Sequence, residues 1–196
     1  MKIILASASP RRKEILKKLN LEFTIHPSNF DENTIPVDNN NPKKYCKDLA
    51  IQKALIISNR FPDSFIIGAD TIVYCNNKIL GKPKNYSEAK EHLKLLSNKQ
   101  HDVYTAVSLL NKINKVQKSF IDKTSVFFHK LDYTDIEFYI KYYKPFDKAG
   151  SYAIQDWSSV FIKKIDGCFY NVVGFPLSKF HKLFSKDLNL KINNEQ

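Results

Sequence analysis

The chain has 196 residues, 43% of them apolar and 13% aromatic, and a formal net charge of +11. That composition excludes a disordered or fibrous chain and fits one globular domain, residues 1–196, or one compact two-lobed unit. No apolar run approaches the roughly 20 residues of a membrane span, and Ile3–Ala6 is too short for the apolar core of a secretion signal. The three cysteines (Cys46, Cys75, Cys168) lack any C-x-x-C pair, so neither a disulfide framework nor a zinc site is expected. These features read as a soluble, cytoplasmic protein with no membrane partner.

In chain order, Lys2–Ala6 reads as a short buried strand and Pro10–Leu19 as a helix with Ile15, Leu16 and Leu19 on one face. Leu21–His26 reads as a second strand, followed by a polar loop from Pro27 to Pro42. A longer helix is expected from Lys43 to about Asn59. Ser64–Tyr74 follows as a strand, with Cys75-Asn76-Asn77-Lys78 as a hairpin turn. Gly81-Lys82-Pro83 is a loop and Ser87–Leu96 a helix. Val103–Leu110 and Val116–His129 form a second hairpin. Tyr133–Tyr142 is a helix, Lys148-Ala149-Gly150 a loop, Val160–Ile165 a strand, Pro176–Phe184 a last helix, and the chain from about 185 a polar tail. Hairpins mixed with helices fit an α/β fold with a mixed β-sheet and flanking helices better than a purely parallel one.

Thirty-one residues are Lys or Arg, yet only Arg11, Arg12 and Arg60 are arginines. Two of the three stand together in SASPRR, where Ser9 suits a helix N-cap and Pro10 the first helical position. Cations in that turn oppose the helix dipole by ~0.3–1 kcal/mol each. A phosphate meeting the free N–H groups and the guanidinium forks would relieve this; so would simple exposure to solvent.

Lys53 falls on the apolar stripe Cys46, Leu49, Ala50, Ala54, Ile57, either snorkelling to water or holding a ligand. In FIIGADTIVY an ionisable Asp70 interrupts a buried strand, where an unpaired carboxylate is costly. That placement suggests a general base or metal ligand, against an edge position or a turn at Gly68. Asp31-Glu32 offers carboxylates for Mg²⁺ or Mn²⁺, and Lys82 could reach a phosphate; each signal alone is weak. There is no P-loop and no G-x-S-x-G elbow, and the histidines lack metal-ligand spacing. Together these groups are equipment for a polyphosphate and a divalent cation.

The ordered series LASASPRR, Asp31-Glu32, an A-x-x-K-A helix from Ala50 to Ala54, GADTIV, LGKP, HDVYTAV, DKAGSYAIQ and NVVGFPL resembles the Maf family from Ile3 to about Phe184. The resemblance implies a cytoplasmic nucleoside triphosphate pyrophosphatase, often a homodimer and linked to septum formation. It also implies an elongated mixed sheet with two lobes around a cleft, similar to inosine triphosphate pyrophosphatase. By matching motif, Asp70 would accept the proton, and Glu32 and Asp70 would stand at a Mg²⁺ or Mn²⁺ ion. Ser9, Arg11, Arg12, Lys53 and Lys82 would line the phosphate site. Arg12, Thr71 and Gln155 would set substrate choice, and they resemble the branch acting on dTTP and UTP. The alternatives are the sister branch acting on 7-methyl-GTP and a basic nucleic-acid-binding or cell-division regulatory protein. Against nucleic acid as a partner, the sequence has no recognisable nucleic-acid module, and the arginines are paired rather than spread in a stripe. Three departures stand out: Tyr143-Lys144 replaces the usual Gly-Glu, Asn98 a glycine and Asp156 another. Of these, the reversed charge at Lys144 is expected to bear most on the cleft.

Overall fold

A computed structural model describes residues 1–189. Its centre is an antiparallel pair of long strands, β3 (Phe65–Cys75) and β5 (Gln100–Asn111), in register from Ile66↔Leu110 to Tyr74↔Asp102. Two strands share the other edge of β3. Strand β1 (Ile3–Leu5) runs parallel to residues 65–67, and β4 (Lys78–Leu80) returns antiparallel against residues 73–75. Gly68 to Ile72 have no strand partner on that edge, so the sheet carries a gap between β1 and β4. The outer strands are β2 (Thr24–Ile25), parallel to β1, and β6 (Val116–Phe128) and β7 (Ile162–Asp166), antiparallel beyond β5. Among the described residues the sheet has seven strands, and it is mixed, as the hairpin pattern of the sequence implied.

Among the described residues the helices are α1 (Pro10–Lys17), α2 (Pro42–Arg60), α3 (Tyr86–Leu96), α4 (Tyr133–Tyr143), α5 (Phe169–Val173) and α6 (Leu177–Phe184). Helix α2 covers one face of this strand pair, burying Leu49, Ala50, Ala54 and Ile57 against the even-numbered side chains of β3, Ile66 and Ile72 among them. It can lie this close because residue 68 is glycine. A Cβ there would stand 2.3 Å from the Ala50 carbonyl oxygen and 2.8 Å from the Ala54 methyl.

The odd-numbered face supports two separate apolar cores. One gathers Leu5, Leu16, Ile67, Ala69, Phe175, Phe180 and Phe184; the other gathers Val73, Leu80, Leu93, Val126, Tyr139, Tyr152 and Phe161. Between Ala69 and Val73 the strand presents Thr71, cross-strand partner of Thr105. The waist between the two lobes is therefore polar, on the face of β3 opposite α2.

Several elements are shorter than the sequence suggested. The strand expected over Leu21–His26 pairs only at Thr24 and Ile25, since β1 offers three residues to pair with. Val160 and Phe161 belong to a 3-10 turn, Trp157–Phe161, capped by Asp156, rather than to β7. The segment after Phe184 is not wholly polar in its packing: Leu188 is buried in the first core, and residues 190–196 of the expected tail lie outside the described residues. Helix α5 was not anticipated at all. Asn98, which stands where the family carries a glycine, takes a left-handed backbone at φ 56°, which asparagine tolerates. Lys144 is exposed at the left-handed C-cap of α4 and does not line the cleft, so its reversed charge does not face the site as expected.

Candidate active site

The gap in the edge of β3 opens into a cavity of about 500 Å³. Its lining includes Ser9, Arg11, Arg12, Glu32, Lys53, Asp70, Thr71, Lys82 and Gln155, which come from every part of the chain. These nine residues, each singled out from the sequence, thus meet in one place, whereas Asp31 does not line it.

Asp70 and Thr71 are consecutive on an extended strand and so point to opposite faces, one to each side of the gap. On the α2 side, Lys53 is buried and its Nζ donates to Asp70 Oδ1 at 2.5 Å and to Glu32 Oε1 at 2.8 Å. The snorkelling alternative for Lys53 is overturned: its head lies inside, between two carboxylates. Burial alone would push this ammonium down, but Asp70 and Glu32 outweigh it and its pKa rises. Burial likewise pushes Glu32 up, and Lys53 more than compensates, holding Glu32 below its usual range. Lys82 approaches the same carboxylate, its Nζ 3.8 Å from Glu32 Oε1, while remaining largely exposed. Glu32 is presented by a single 3-10 turn, Glu32–Thr34. Asp31 caps that turn, accepting from the Asn33 backbone N–H at 3.0 Å. Asp31 is thus a scaffold for its neighbour and does not line the cavity. Beneath Asp70, the buried thiol of Cys46 lies 3.5 Å from both the Asp70 and the Tyr104 carbonyl oxygens, either of which can accept its one proton; burial pushes its pKa well up.

On the other side, Ser9 caps α1 and Pro10 opens it, as the sequence indicated. The two arginines then diverge. Arg11 Nη1 donates to Asp147 Oδ2 at 2.8 Å, and Arg11 Nη2 to the Asp147 carbonyl at 3.3 Å. The anion that relieves its place in the first helical turn is a carboxylate of the chain itself. Burial would raise Asp147, but hydrogen bonds from Lys148 and Arg11 prevail and hold it at about 2. Arg12 instead points inward, its Nη1 donating to Ser7 Oγ at 3.1 Å, its Nη2 to Thr71 Oγ1 at 3.0 Å and its Nε to the Gly174 carbonyl at 2.9 Å. Gly174 ends α5 with φ 113°, a left-handed turn suited to glycine, and its carbonyl is thereby offered to Arg12. Gln155 is exposed at the rim.

Ser7, Asp147, Lys148 and the Gly174 carbonyl were not identified as site groups from the sequence. Their signal was present in the motifs LASASPRR, DKAGSYAIQ and NVVGFPL, which carry them, but side-chain pairing across so long a separation leaves no local pattern.

The fold and the cavity together define a mixed α/β protein with a basic cleft built around two lysine-bridged carboxylates. Residues 2–187 match the family of Maf-like proteins, and the chain belongs to the Maf family. It is 45% identical over 183 residues to a Clostridium perfringens protein named dTTP/UTP pyrophosphatase, covering 93% of this chain and 95% of that one. A protein of the same name from Carboxydothermus hydrogenoformans is 42% identical over 182 residues, covering 93% and 96%. Among solved structures, the Staphylococcus aureus Ham1 protein aligns over 65% of this chain and 72% of its own, with a TM-score of 0.42 and 12% identity.

Proposed function

We propose that this protein hydrolyses dTTP and UTP to the nucleoside monophosphate and pyrophosphate. The observation that carries the reading is the buried Asp70 carboxylate in a basic cleft, bridged through Lys53 to Glu32. The names of the 42–46% identical relatives point to the same substrates.

In this reading Asp70 takes the proton of a water whose oxygen attacks the α-phosphorus, and the bond from that phosphorus to the bridging oxygen breaks to release pyrophosphate. Lys53, Lys82, Arg11 and Ser9 hold the phosphates, with Lys53 also keeping Asp70 and Glu32 side by side. Arg12, Thr71 and Gln155 face the nucleoside. The surplus of positive charge steers a polyanionic substrate toward the cleft.

The donor set suits a hard divalent cation. Each of Glu32 and Asp70 uses one oxygen for Lys53, and the second oxygen has no partner among the described residues. Two carboxylates completed by substrate phosphates and water make a typical Mg²⁺ or Mn²⁺ site. No cluster of three or more His, Cys, Asp or Glu suited to a metal occurs among the described residues, so two carboxylates are what this site offers a cation. Such a cation, when bound, neutralises phosphate charge. The free thiols at Cys46, Cys75 and Cys168 support a reducing, cytoplasmic setting, and the homodimer rests on the family resemblance.

The deciding experiment is pyrophosphate release from dTTP, UTP, CTP, GTP and 7-methyl-GTP with Mg²⁺ and with Mn²⁺. dTTP and UTP are expected to lead, with no release in chelator. A lead for 7-methyl-GTP would assign the sister activity. Salt-sensitive RNA binding without pyrophosphate release would overturn the enzyme.

A further inference from the structure

Among the described residues four tyrosines are buried, and three of them satisfy their hydroxyls within the chain. Tyr104 pairs with Asp102, Tyr139 with Asp156 and Tyr152 with His101. The fourth, Tyr45, is 8% exposed and lines the cavity, and its hydroxyl has no hydrogen-bond partner among the described residues. A buried phenol normally finds a partner, because an O–H left unpaired away from water is costly.

Helix α2 sets where this hydroxyl is presented. Tyr45, Leu49 and Lys53 follow at four-residue steps, so they share one face, and all three line the cavity. The Tyr45 ring belongs to the apolar cluster of Leu49, Ile72 and Tyr104, so packing holds the ring while nothing in the chain claims its oxygen. The charges that act on the hydroxyl are those of the site. Burial pushes its pKa up, and Asp70 and Glu32 add to this against the opposing pull of Lys53. The phenol therefore keeps its proton at neutral pH. Neutrality also keeps this donor available: a cation beside two carboxylates is claimed by them, as Lys53 is by Asp70 and Glu32. An acceptor for Tyr45 has to come from outside the chain.

We propose that Tyr45 donates its hydroxyl proton to an oxygen of the β,γ-diphosphate of the bound nucleotide, holding the leaving group together with Lys53 and Lys82. This deepens the nucleotide reading of the site and rests on it. Thr71 and Asp70 point to opposite faces of β3. A substrate with its nucleoside at Arg12 and Thr71 and its α-phosphorus at Asp70 crosses the gap between those faces. Its terminal phosphates then lie on the α2 side, where Tyr45, Lys53 and Lys82 line the cavity. Charge builds on those phosphates as pyrophosphate leaves, and a fixed neutral donor meets it without first being neutralised by Asp70 or Glu32.

The test is Tyr45→Phe, which removes one oxygen and keeps the ring. kcat/KM for UTP is expected to fall roughly tenfold, the scale of one hydrogen bond to a charged group. Inhibition by the two products separates this role from general damage to the site. The inhibition constant of pyrophosphate should rise roughly tenfold while that of UMP stays within about twofold. Equal rises for both products, or no rise for pyrophosphate, overturn the assignment while leaving the pyrophosphatase intact. The melting temperature should not fall, since the hydroxyl holds nothing within the chain. A Tyr45→Phe protein that is clearly destabilised or fails to fold would make the hydroxyl a structural group and overturn the assignment as well. Absence of pyrophosphate release by wild type from every nucleotide overturns the underlying reading, and the role of Tyr45 with it.

Discussion

Arg11 is held by Asp147, 136 positions further along the chain, through two hydrogen bonds to its carboxylate and carbonyl. The pair ties the first turn of α1 to the turn that follows α4, across the rim of the cavity. Any phosphate that reaches Arg11 must compete with this carboxylate. Asp147→Asn removes the competing charge and is expected to tighten pyrophosphate binding by roughly threefold, on the modest scale of a partly exposed ion pair. Titration calorimetry with pyrophosphate reads this directly. Weaker binding would mean that Asp147 orients Arg11 rather than competes for its charge.

Asp70→Asn keeps the shape of the site and removes its proton acceptor. Turnover of UTP is expected to fall by at least roughly a hundredfold, the usual scale for a general base. UTP binding should stay within a few-fold, because Lys53 retains Glu32 and the phosphate-facing cations are untouched. Stopped assays of pyrophosphate release alongside equilibrium binding separate the two. Unchanged turnover would remove Asp70 from the chemistry.

Gly68→Ala tests whether the close approach of α2 is what aims Lys53. The added methyl meets the Ala50 carbonyl at 2.3 Å and the Ala54 nitrogen at 2.9 Å, both backbone atoms that cannot swing aside. A loss of about 2–3 kcal/mol in urea unfolding is expected, typical of overpacking. Activity should drop further than stability explains, as the helix carrying Lys53 is pushed off the strand carrying Asp70. A stable, fully active variant would show that α2 yields without moving the site.

His101 gives the fold a pH dependence remote from the cleft. It is buried, its Nε2 is 2.8 Å from the Tyr152 hydroxyl, and its Nδ1 has no partner among the described residues. Burial lowers its pKa to about 3, only partly offset by Asp102. The unfolded chain takes up this proton near the usual 6.5 and the folded chain does not. Stability is thus complete above that value and is lost as pH falls toward 3. Between pH 7 and pH 5 the loss is about 2 kcal/mol. Asp147, held at about 2, contributes no slope in that window, since its share is lost only below the ordinary carboxylate range. Thermal melts should show the fall in wild type and a flatter profile in His101→Gln. An equal slope in both would assign the proton elsewhere.

How far the sequence revealed this arrangement differs from element to element. Asn76 and Asn77 announced the β3–β4 hairpin, and both adopt positive φ (49° and 57°), as a two-residue turn demands. The Ser9-Pro10 cap and the stripe of α2 were equally legible, being written in neighbouring residues. Helix α5 was not: five residues, Phe-Tyr-Asn-Val-Val, with no capping side chain look like a strand, and only tertiary packing decides otherwise. Asp70 stood out because a carboxylate inside an apolar strand needs a reason. Lys53 was ambiguous, because helical spacing shows which face a side chain takes but not whether a carboxylate waits there. The partners of Arg11 and Thr71 were beyond reach, since hydrogen bonds between residues tens of positions apart leave no trace in local pattern.

The missing rungs between β1 and β4 bear on how the protein comes into being. The walls of that opening are drawn from residues near 9, 32, 53, 70, 82, 155 and 174, so the stretch from 32 to 82 carries one part of the site and the chain's two ends the rest. Joining such distant segments carries a loop-closure cost that must be met before any of the charges sit together. The opening is complete only once the Gly174 carbonyl meets Arg12, 162 positions away along the chain.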